Sequence, residues 1–505
     1  MTYQTVIEMS VCPPFIARHG LYSEDQTKRA EELKQRVQKE DLHLVRLAWV
    51  DYHGAARAKA VAPEVFVEAL SAGYNINVAT STLDGSGGRV FASFTRGGGM
   101  GLEEMTGSPN LVIVPDPATF RVLPWAPGVG WVLCDEYFRD GKPFHFSTRR
   151  LLKAQVERLN EQGRDCRVGL EVEWYLAKAA EEGLTEEHVG VPGLRGRALR
   201  TTPVEPGYSY HSETNLDLMQ PVISELAKNY RALELPVRSI ENEWGPGQLE
   251  CTFQAEDPLR AADDLVLMRT ATRQICRRLG YFATFMCHPG LKGYFSSGWH
   301  LHQSLTSSKT GGNLFMPDSD SEALSPTGRA YLGGLLTHAS ATSIFATPSV
   351  NGYRRFRPNS LAPDRAVWGI DHRGVFIRAL GGVGDTATRL ENRAGEPAAN
   401  PYLFIAGQIV AGLNGIARNL DPGPPETDPY QSDHPALPAN LGEAIEATDK
   451  DELVRREFGD VFVDYYLALK RAELGRFHTF CNERGLEHIG GDVTEWEQNE
   501  YFDFF

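Results

Sequence analysis

The sequence predicts an α+β protein on three observations. Stretches that alternate with period two read as strands, foremost Val168-Gly169-Leu170-Glu171-Val172-Glu173-Trp174-Tyr175-Leu176 and the segment 298–305. Segments with helical periodicity, such as 147–161 and 261–279, are interleaved with them. The chain has 505 residues, 42% of them hydrophobic and 23% charged, which is the composition of a soluble globular protein with more than one core.

Residues 1 to about 30 show no clear period and read as an extension. A charged helical segment follows over 31–38. Leu44-Val45-Arg46-Leu47-Ala48-Trp49-Val50-Asp51 reads as a strand broken at His53-Gly54, with 58–61 as its antiparallel return and a helix over 63–71. Leu83-Asp84-Gly85-Ser86-Gly87-Gly88 is rich in residues that tolerate positive φ, and by itself it is most simply a hairpin loop. Short strands over 111–115 and 131–136 complete a small α+β unit that ends near Pro143.

The helix over 147–161 leads directly into the strand 168–176, where Leu170, Val172 and Trp174 share one side and Glu171 and Glu173 the other. Same-face neighbours on a strand are roughly 6.5–7 Å apart. Two carboxylates at that distance repel by about 2.5 kcal/mol at an effective dielectric of ~20. Facing water they are an ordinary solvated pair; facing inward they need a compensating cation.

The segment 183–207 is rich in Gly, Pro and charge and reads as a surface loop, with a helix over 214–233 beyond it. Glu243-Trp-Gly-Pro-Gly-Gln-Leu-Glu250 places a turn signal between two carboxylates, so both sit on the arms of one bend. In Gly298-Trp299-His300-Leu301-His302-Gln303-Ser304-Leu305 the two histidines share a face, although a single such histidine is more often a core residue than a ligand. Residues 330–341 form a helix rich in small residues. Between Tyr353 and Arg393 lie Arg354, Arg355, Arg357, Arg365, Arg373, Arg378, Arg389 and Arg393 with no lysine. Solvated basic faces mix the two types, whereas arginine alone suits planar recognition of carboxylate or phosphate. Glu391 and Arg393 stand side by side on a strand. The apolar stretch 402–417, interrupted by Gln408 and Asn414, is a buried helix rather than a membrane span. The tail reads as packing helices over 443–448 and 461–477 and a last acidic-aromatic segment.

A net charge of −15 argues against nucleic acid as a partner. Seven scattered cysteines without a C-x-x-C pair indicate neither a zinc knuckle nor a disulfide framework and fit a reducing cytoplasm. The first fifteen residues lack a basic region followed by an apolar run, so no leader and no membrane association are expected.

Glu171/Glu173, Glu243/Glu250, His300/His302 and Glu391/Arg393 are polar pairs able to face one cavity. Carboxylates with an imidazole suit Mg²⁺ or Mn²⁺, and the number of ligands suggests two or three ions. Beside an arginine-rich segment such a cavity suits ATP and phosphoryl transfer. Neither a G-x-x-x-x-G-K-[ST] loop nor a G-x-G-x-x-G turn is present, so metals and arginines must hold the phosphates.

These residues, in their order and spacing, resemble the glutamine synthetase family. The motifs are D-G-S at Asp84, G-x-E-x-E at Gly169 to Glu173, G-P-G-Q-x-E at Gly245 to Glu250, and S-G-x-H-x-H-x-S at Ser297 to Ser304. Y-x-R at Tyr353 to Arg355 and E-x-R-x-x-x-P-A-A-N-P-Y at Glu391 to Tyr402 complete the set. The resemblance implies an N-terminal extension over 1–30, a β-grasp domain over 31–144 and a catalytic domain over 145–505 with a curved antiparallel sheet flanked by helices. It also implies a homo-oligomer of stacked rings, commonly a dodecamer of two hexameric rings, with active sites between subunits.

By the same resemblance, Glu173, Glu243 and Glu250 hold one metal ion, while Glu171, His300 and Glu391 hold the ion that meets the nucleotide phosphates. Arg355, Arg393 and Glu173 are expected at the glutamate substrate, and Ser304, His302, Arg373 and Arg378 at ATP. Asp84, Arg373 and Glu250 are the expected catalytic residues. Asp84 reaches over from the adjacent subunit and, with Tyr208, Phe295 and Leu361, makes the amine pocket. The chemistry has a simple logic: a carboxylate acylates poorly, so ATP converts the γ-carboxylate of glutamate to an acyl phosphate that a neutral amine attacks.

Two departures from the family pattern bear on the amine. The loop glutamate of ammonia-using members, six residues past the Y-x-R arginine, is replaced by Leu361 in Arg357-Pro-Asn-Ser-Leu-Ala-Pro363, and the usual N-G-S-G by Phe295-Ser296-Ser297-Gly298. An ammonium site needs negative charge, so these changes favour a larger amine, as in the γ-glutamylanilide or γ-glutamylpolyamine synthetases, and between those an aromatic or alkyl monoamine, because a polyamine needs extra acidic partners. Glutamine synthesis from ammonia and a catalytically silent structural or regulatory role are the alternatives.

Overall fold

The computed structural model describes residues 13–357 and 360–505; Cys12 and most of the segment expected to lack a leader fall outside the described residues. The described residues form two compact units.

The first unit takes the chain up to Trp49 together with Arg57–Val78 and Ser108–Phe144. Its mixed sheet runs in the order Ala56–Val61, Leu44–Val50, Val129–Tyr137, Asn110–Pro115, Tyr74–Asn77. Leu44–Val50 pairs in parallel with Val129–Tyr137, and the helix Pro63–Ala72 makes the crossover side, stacking Phe66 on Phe120 at 5.7 Å. The strands and helix read for the small α+β unit lie here, but Val50–Ala56 and Ala79–Gly107, with the Asp84 turn, fall in the second unit. The expected extension over 1–30 is not loose to residue 30, because the helix Glu24–Lys39 starts seven residues earlier than its charge pattern suggested. Ser23 and Gln26 form a reciprocal capping box that satisfies the first free N–H groups. Upstream of it, Phe15 and Ile16 are buried against Val112 and Val114.

The second unit takes Val50–Ala56, Ala79–Gly107 and His145–Phe505. Its sheet runs Trp368–Ile370, Ile377–Leu380, Arg389–Gly395, Trp299–Ser307, Arg164–Ala179, Gln248–Phe253, Val237–Asn242, with Tyr281–Thr284 and Thr201–Pro203 also on the central strand Arg164–Ala179. All pairings are antiparallel except the edge pair Trp368–Ile370 and Ile377–Leu380, which is parallel. The expected antiparallel sheet is corrected at that edge only.

One sheet face is apolar. Leu170, Val172, Trp174, Leu249, Cys251, Trp299 and Leu301 are all almost fully buried. Trp174 lies 6.0 Å from Phe285, and Trp299 lies 4.9 Å from Phe404. Phe404 belongs to the buried helix Pro401–Arg418, which is capped by Asn400 through Tyr402 N and Leu403 N and starts with a proline at its first position. The two polar residues that interrupt this helix have partners. Gln408 Oε1 accepts from Gln303 Nε2 (3.0 Å) and Asn392 Nδ2 (2.9 Å), and Tyr331 Oη donates to Gln303 Oε1 at 2.7 Å. Asn414 faces the His338 ring at 3.1 Å.

The small-residue helix predicted over 330–341 is two helices, Pro326–Thr337 and Ala339–Ala346, broken at His338. The break aims the His338 ring between Asn414 and Asp451, the latter 2.9 Å away. The small residues have a packing reason: a Cβ on Gly334 would stand 2.0 Å from Ala411 O, and one on Gly415 would stand 2.1 Å from Ala330 O. Pro326–Thr337 and Pro401–Arg418 therefore cross backbone against backbone.

Candidate active site

The polar face of the central sheet carries the candidate site, and strand register assembles it. Glu171 and Glu173 project from one side of the strand Arg164–Ala179, as period two requires. Antiparallel register sets His300 opposite Glu171 and Glu250 opposite Glu173, with Glu241 opposite Glu250. On the other flank His302 is opposite Glu391, and Glu391 is opposite Arg378. Directly paired residues in a sheet point to the same side, so one face collects carboxylates, two imidazoles and arginines.

The hairpin Val237–Asn242/Gln248–Phe253 fixes Glu243 and Glu250 on its two arms, Glu243 N donating to Gln248 O at 2.9 Å. Glu205 holds the turn by accepting from the N–H groups of Gly207 and Gly247. Gln248 is the hinge of this corner: its Nε2 donates to Glu173 Oε2 (2.9 Å) and Ser297 Oγ (2.9 Å), and its Oε1 accepts from Gly245 N at 2.8 Å. Gly298 N also donates to Glu173 Oε2 at 2.9 Å. Gly298 must lack a side chain, because a Cβ there would lie 2.7 Å from Arg355 Nη2 and 3.2 Å from His300 Nε2.

The electrostatics divide the face into two ends. His300 Nδ1 lies 3.3 Å from Glu171 Oε2 and 3.7 Å from Glu391 Oε1, and His302 Nε2 lies 2.9 Å from Glu171 Oε1. Burial would raise Glu171, but the hydrogen bonds to His300 and His302 outweigh it and hold its carboxyl well below the usual range. Burial likewise works against Glu391, and the His300, Arg393 and His302 charges keep it low. Arg378 Nη1 sits 3.0 Å from Glu391 Oε2, and Arg393 Nη1 pairs with Glu391 Oε1. At the other end the cations do not outweigh burial. Burial followed by the charge of Glu173 pushes Glu243 up to about 8 and Glu250 up to about 10. Burial also raises Glu173 against the pull of Arg355. Carboxylates crowded until they hold protons are the electrostatic signature of a cation site.

The donor set fits divalent ions. Ligand atoms of Glu171, Glu250 and His300 lie within 4.8 Å of one another, and so do those of Glu171, His302 and Glu391. Oxygen-rich sets with one imidazole suit Mg²⁺ or Mn²⁺. Glu171 belongs to both groups, and His302, expected on the ATP side, stands in the second. Glu173 is paired opposite Glu250 and Glu243 sits on the other arm of its hairpin, but neither is in either of these two groups.

The remaining candidates divide. Arg355 is buried, donating Nη1 to Arg393 O (2.9 Å) and Gly395 O (3.3 Å). Arg393 Nε donates to Arg373 O at 2.9 Å, which ties the exposed Arg373 to the same edge. Ser304 and His302 line a cavity of about 530 Å³ with Glu171, Arg167, Arg238 and Arg389. Phe295 passes the Glu173 end, its backbone N and O both bonded to Tyr175 Oη. Tyr208 Oη donates to Gly293 O at 2.6 Å on the same loop. Leu361 is 61% exposed at φ +60°, and Tyr430 Oη braces its loop through Ala362 O at 3.2 Å. Asp84 stands apart from the sheet carboxylates: it accepts from Ser86 N and Gly88 N and faces Arg476 Nε at 2.9 Å.

The model of the glutamine synthetase catalytic domain matches residues 145–488, which span the whole of this face. The chain belongs to the glutamine synthetase family. The γ-glutamylanilide synthase of an Acinetobacter species is 44% identical over 97% of this chain and 98% of its own. The glutamine synthetase of Thermococcus kodakarensis is 31% identical over 90% of this chain and 95% of its own. The solved structure of apo GmaS superposes with a TM-score of 0.72 at 27% identity, over 92% of this chain and 98% of that one.

Sequence reasoning missed several residues of this family site. Glu241 carries no motif and enters only because register sets it opposite Glu250. Gln248 stood inside G-P-G-Q, but its bond to Glu173, 75 positions away, is not readable from that motif. Arg167 and Arg238 are lone arginines on separate strands, and nothing local distinguishes them from solvated ones.

Proposed function

We propose that this chain is an ATP-dependent ligase that phosphorylates the γ-carboxylate of L-glutamate and condenses the acyl phosphate with an amine larger than ammonia, aromatic or alkyl, to give a γ-glutamyl amide. The observation that carries the reading is the single sheet face on which Glu171, Glu173, Glu250, His300, His302 and Glu391 converge beside Arg355, Arg378 and Arg393. The size of the amine is supported by Leu361 and Phe295 in place of polar groups, and by 44% identity to a γ-glutamylanilide synthase against 31% to a glutamine synthetase.

In this reading Glu173, Glu243 and Glu250 hold one divalent ion and Glu171, His300 and Glu391 another, with Mg²⁺ or Mn²⁺ as the ion and two to three per site. Such ions, when bound, neutralise charge on the phosphates of ATP and on the phosphoryl group in transfer. Arg355 and Arg393 orient the glutamate substrate with Glu173 facing its amino group. Ser304, His302 and Arg378 orient the nucleotide, and the exposed Arg373 meets the transferred phosphoryl group. The γ-carboxylate oxygen attacks the terminal phosphorus and ADP leaves. The amine nitrogen then attacks the acyl carbon, phosphate leaves, and the spare proton passes to a carboxylate. Asp84 of a neighbouring subunit receives it in a ring assembly, which we take to be a dodecamer working in the cytoplasm. The domain limits 31–144 and 145–505 belong to the same proposal.

Phosphate release from ATP, measured with glutamate and a panel of ammonia, alkylamines and aniline, tests the reading. Release with aniline or alkylamines and little with ammonia is the expected result. Release with ammonia alone establishes glutamine synthesis instead, and none with any amine establishes a silent structural member.

A further inference from the structure

The turn between Glu243 and Glu250 carries one large side chain. Gly245 and Gly247 press the turn onto the central strand, since a Cβ on either would lie 2.0 Å from Tyr175 Oη or 2.2 Å from Leu176 O. Trp244, between the candidate metal ligand Glu243 and these glycines, is left 43% exposed. A single exposed indole is ordinary, whereas a contiguous group of exposed rings marks a binding surface.

A strained segment brings two more rings to it. Gly207, Tyr208 and His211 have φ of +73°, +58° and +54°, which residues with side chains rarely adopt unless the surroundings hold them. Tyr208 N donates to Trp244 O at 2.8 Å, His211 N to Asn242 O at 3.3 Å, and Tyr208 Oη to Gly293 O at 2.6 Å. As a result Tyr208 stands edge-on to Trp244 (6.0 Å, 87°), and Tyr210 lies 6.4 Å from it at 56°. Both tyrosines are half exposed, at 50% and 54%. The group borders the carboxylates: burial, then Glu243, Glu250 and Glu241, push the Tyr210 phenol up to about 12.

Resting on the amine-ligase reading and deepening it, we propose that Trp244, flanked by Tyr208 and Tyr210, takes the aromatic ring of an arylamine and sets the preference of the site for aryl over alkyl amines. The three rings are each about half exposed, so together they offer aromatic surface on which one more ring can pack. An arylamine also suits the balance of groups, because its nitrogen is neutral near pH 7 and its ring supplies the apolar contact. The nitrogen then points along the turn to the Glu243 end, where the acyl phosphate would form.

The test is the ratio of kcat/KM for aniline to that for isopropylamine, read by phosphate release in the wild type, Trp244→Ala and Trp244→Phe. The ratio is expected to fall about tenfold in Trp244→Ala, the size of one good aromatic contact, and to stay within about threefold in Trp244→Phe, which keeps a ring. An unchanged ratio in Trp244→Ala overturns the inference, as does a change of oligomeric state with the ratio intact. If the wild type turns over no amine, the ligase reading itself has failed. The aromatic site is then decided by binding: aniline quenches the intrinsic fluorescence of the glutamate- and Mg²⁺-loaded wild type saturably but not that of Trp244→Phe if the site exists. Equal quenching, or none, overturns it.

Discussion

Replacing Glu250 by glutamine keeps its volume and removes its ability to ionise, which separates a metal-holding cluster from an ordinary buried polar pair. Glu250 stands opposite Glu173 and is 8% exposed, and burial with the neighbouring carboxylates pushes it up to about 10. Its folded value thus lies above the unfolded one of 4.5. A group shifted in that direction supports the fold fully below pH 4.5 and loses that support as the pH rises toward 10. At pH 7 the folded chain keeps a proton that the unfolded chain would release, which costs about 3 kcal/mol for an isolated group. Neighbours that share the charge reduce the gain on substitution to about 1–3 kcal/mol. In a protein of this size that is a rise of a few degrees in melting temperature, about 2 °C per kcal/mol. Metal-free Glu250→Gln therefore melts above the wild type at pH 7, and further above it at pH 9. Magnesium at a thousandfold excess over Kd reverses the order, since it stabilises the wild type by about 4.1 kcal/mol and the variant has lost a ligand. Thermal melts with EDTA and with millimolar MgCl₂ read both effects. A metal-free variant that melts below the wild type, with an undiminished rise on adding magnesium, would refute the reasoning.

Four further outcomes are expected. Mg²⁺ affinity by isothermal titration rises from pH 6 to pH 9, because Glu243 and Glu250, raised to about 8 and 10, must shed protons to bind it; affinity independent of pH contradicts the cluster. Gln408→Leu leaves Gln303 and Asn392 without their shared acceptor behind the site strands, lowering stability in urea by about 1–3 kcal/mol. Gly334→Ala drives a Cβ into Ala411 O at the helix crossing and destabilises by at least about 2 kcal/mol in the same assay. Leu361→Glu restores a carboxylate to an exposed loop and raises kcat/KM for ammonia relative to aniline by about tenfold; an unchanged ratio removes Leu361 from the amine site.

The strands that carry chemistry were legible because period two is a local property. Which of Glu171, Val172 and Glu173 share a face, and that His300 goes with His302, follows from pleat geometry alone. Caps were equally local, and the Ser23–Gln26 box was available to mark the helix start that charge pattern missed. The polar breaks at Gln408 and Asn414 could be seen but not interpreted, since their partners Gln303, Asn392 and His338 lie 105, 16 and 76 positions away in sequence.

By itself the sequence determined the alternation that gives each functional strand two unlike faces and the family to which the six motifs point. Only the tertiary structure decided which strand lies beside which, and therefore that Glu250 opposes Glu173, that Glu241 joins them, and that three rings gather over the turn at Trp244. The physical reason is that pleat and helix period are set by neighbouring peptide units. Register between distant strands is chosen by the burial of their common apolar face, and carboxylate charge is felt only after that burial has brought the groups together.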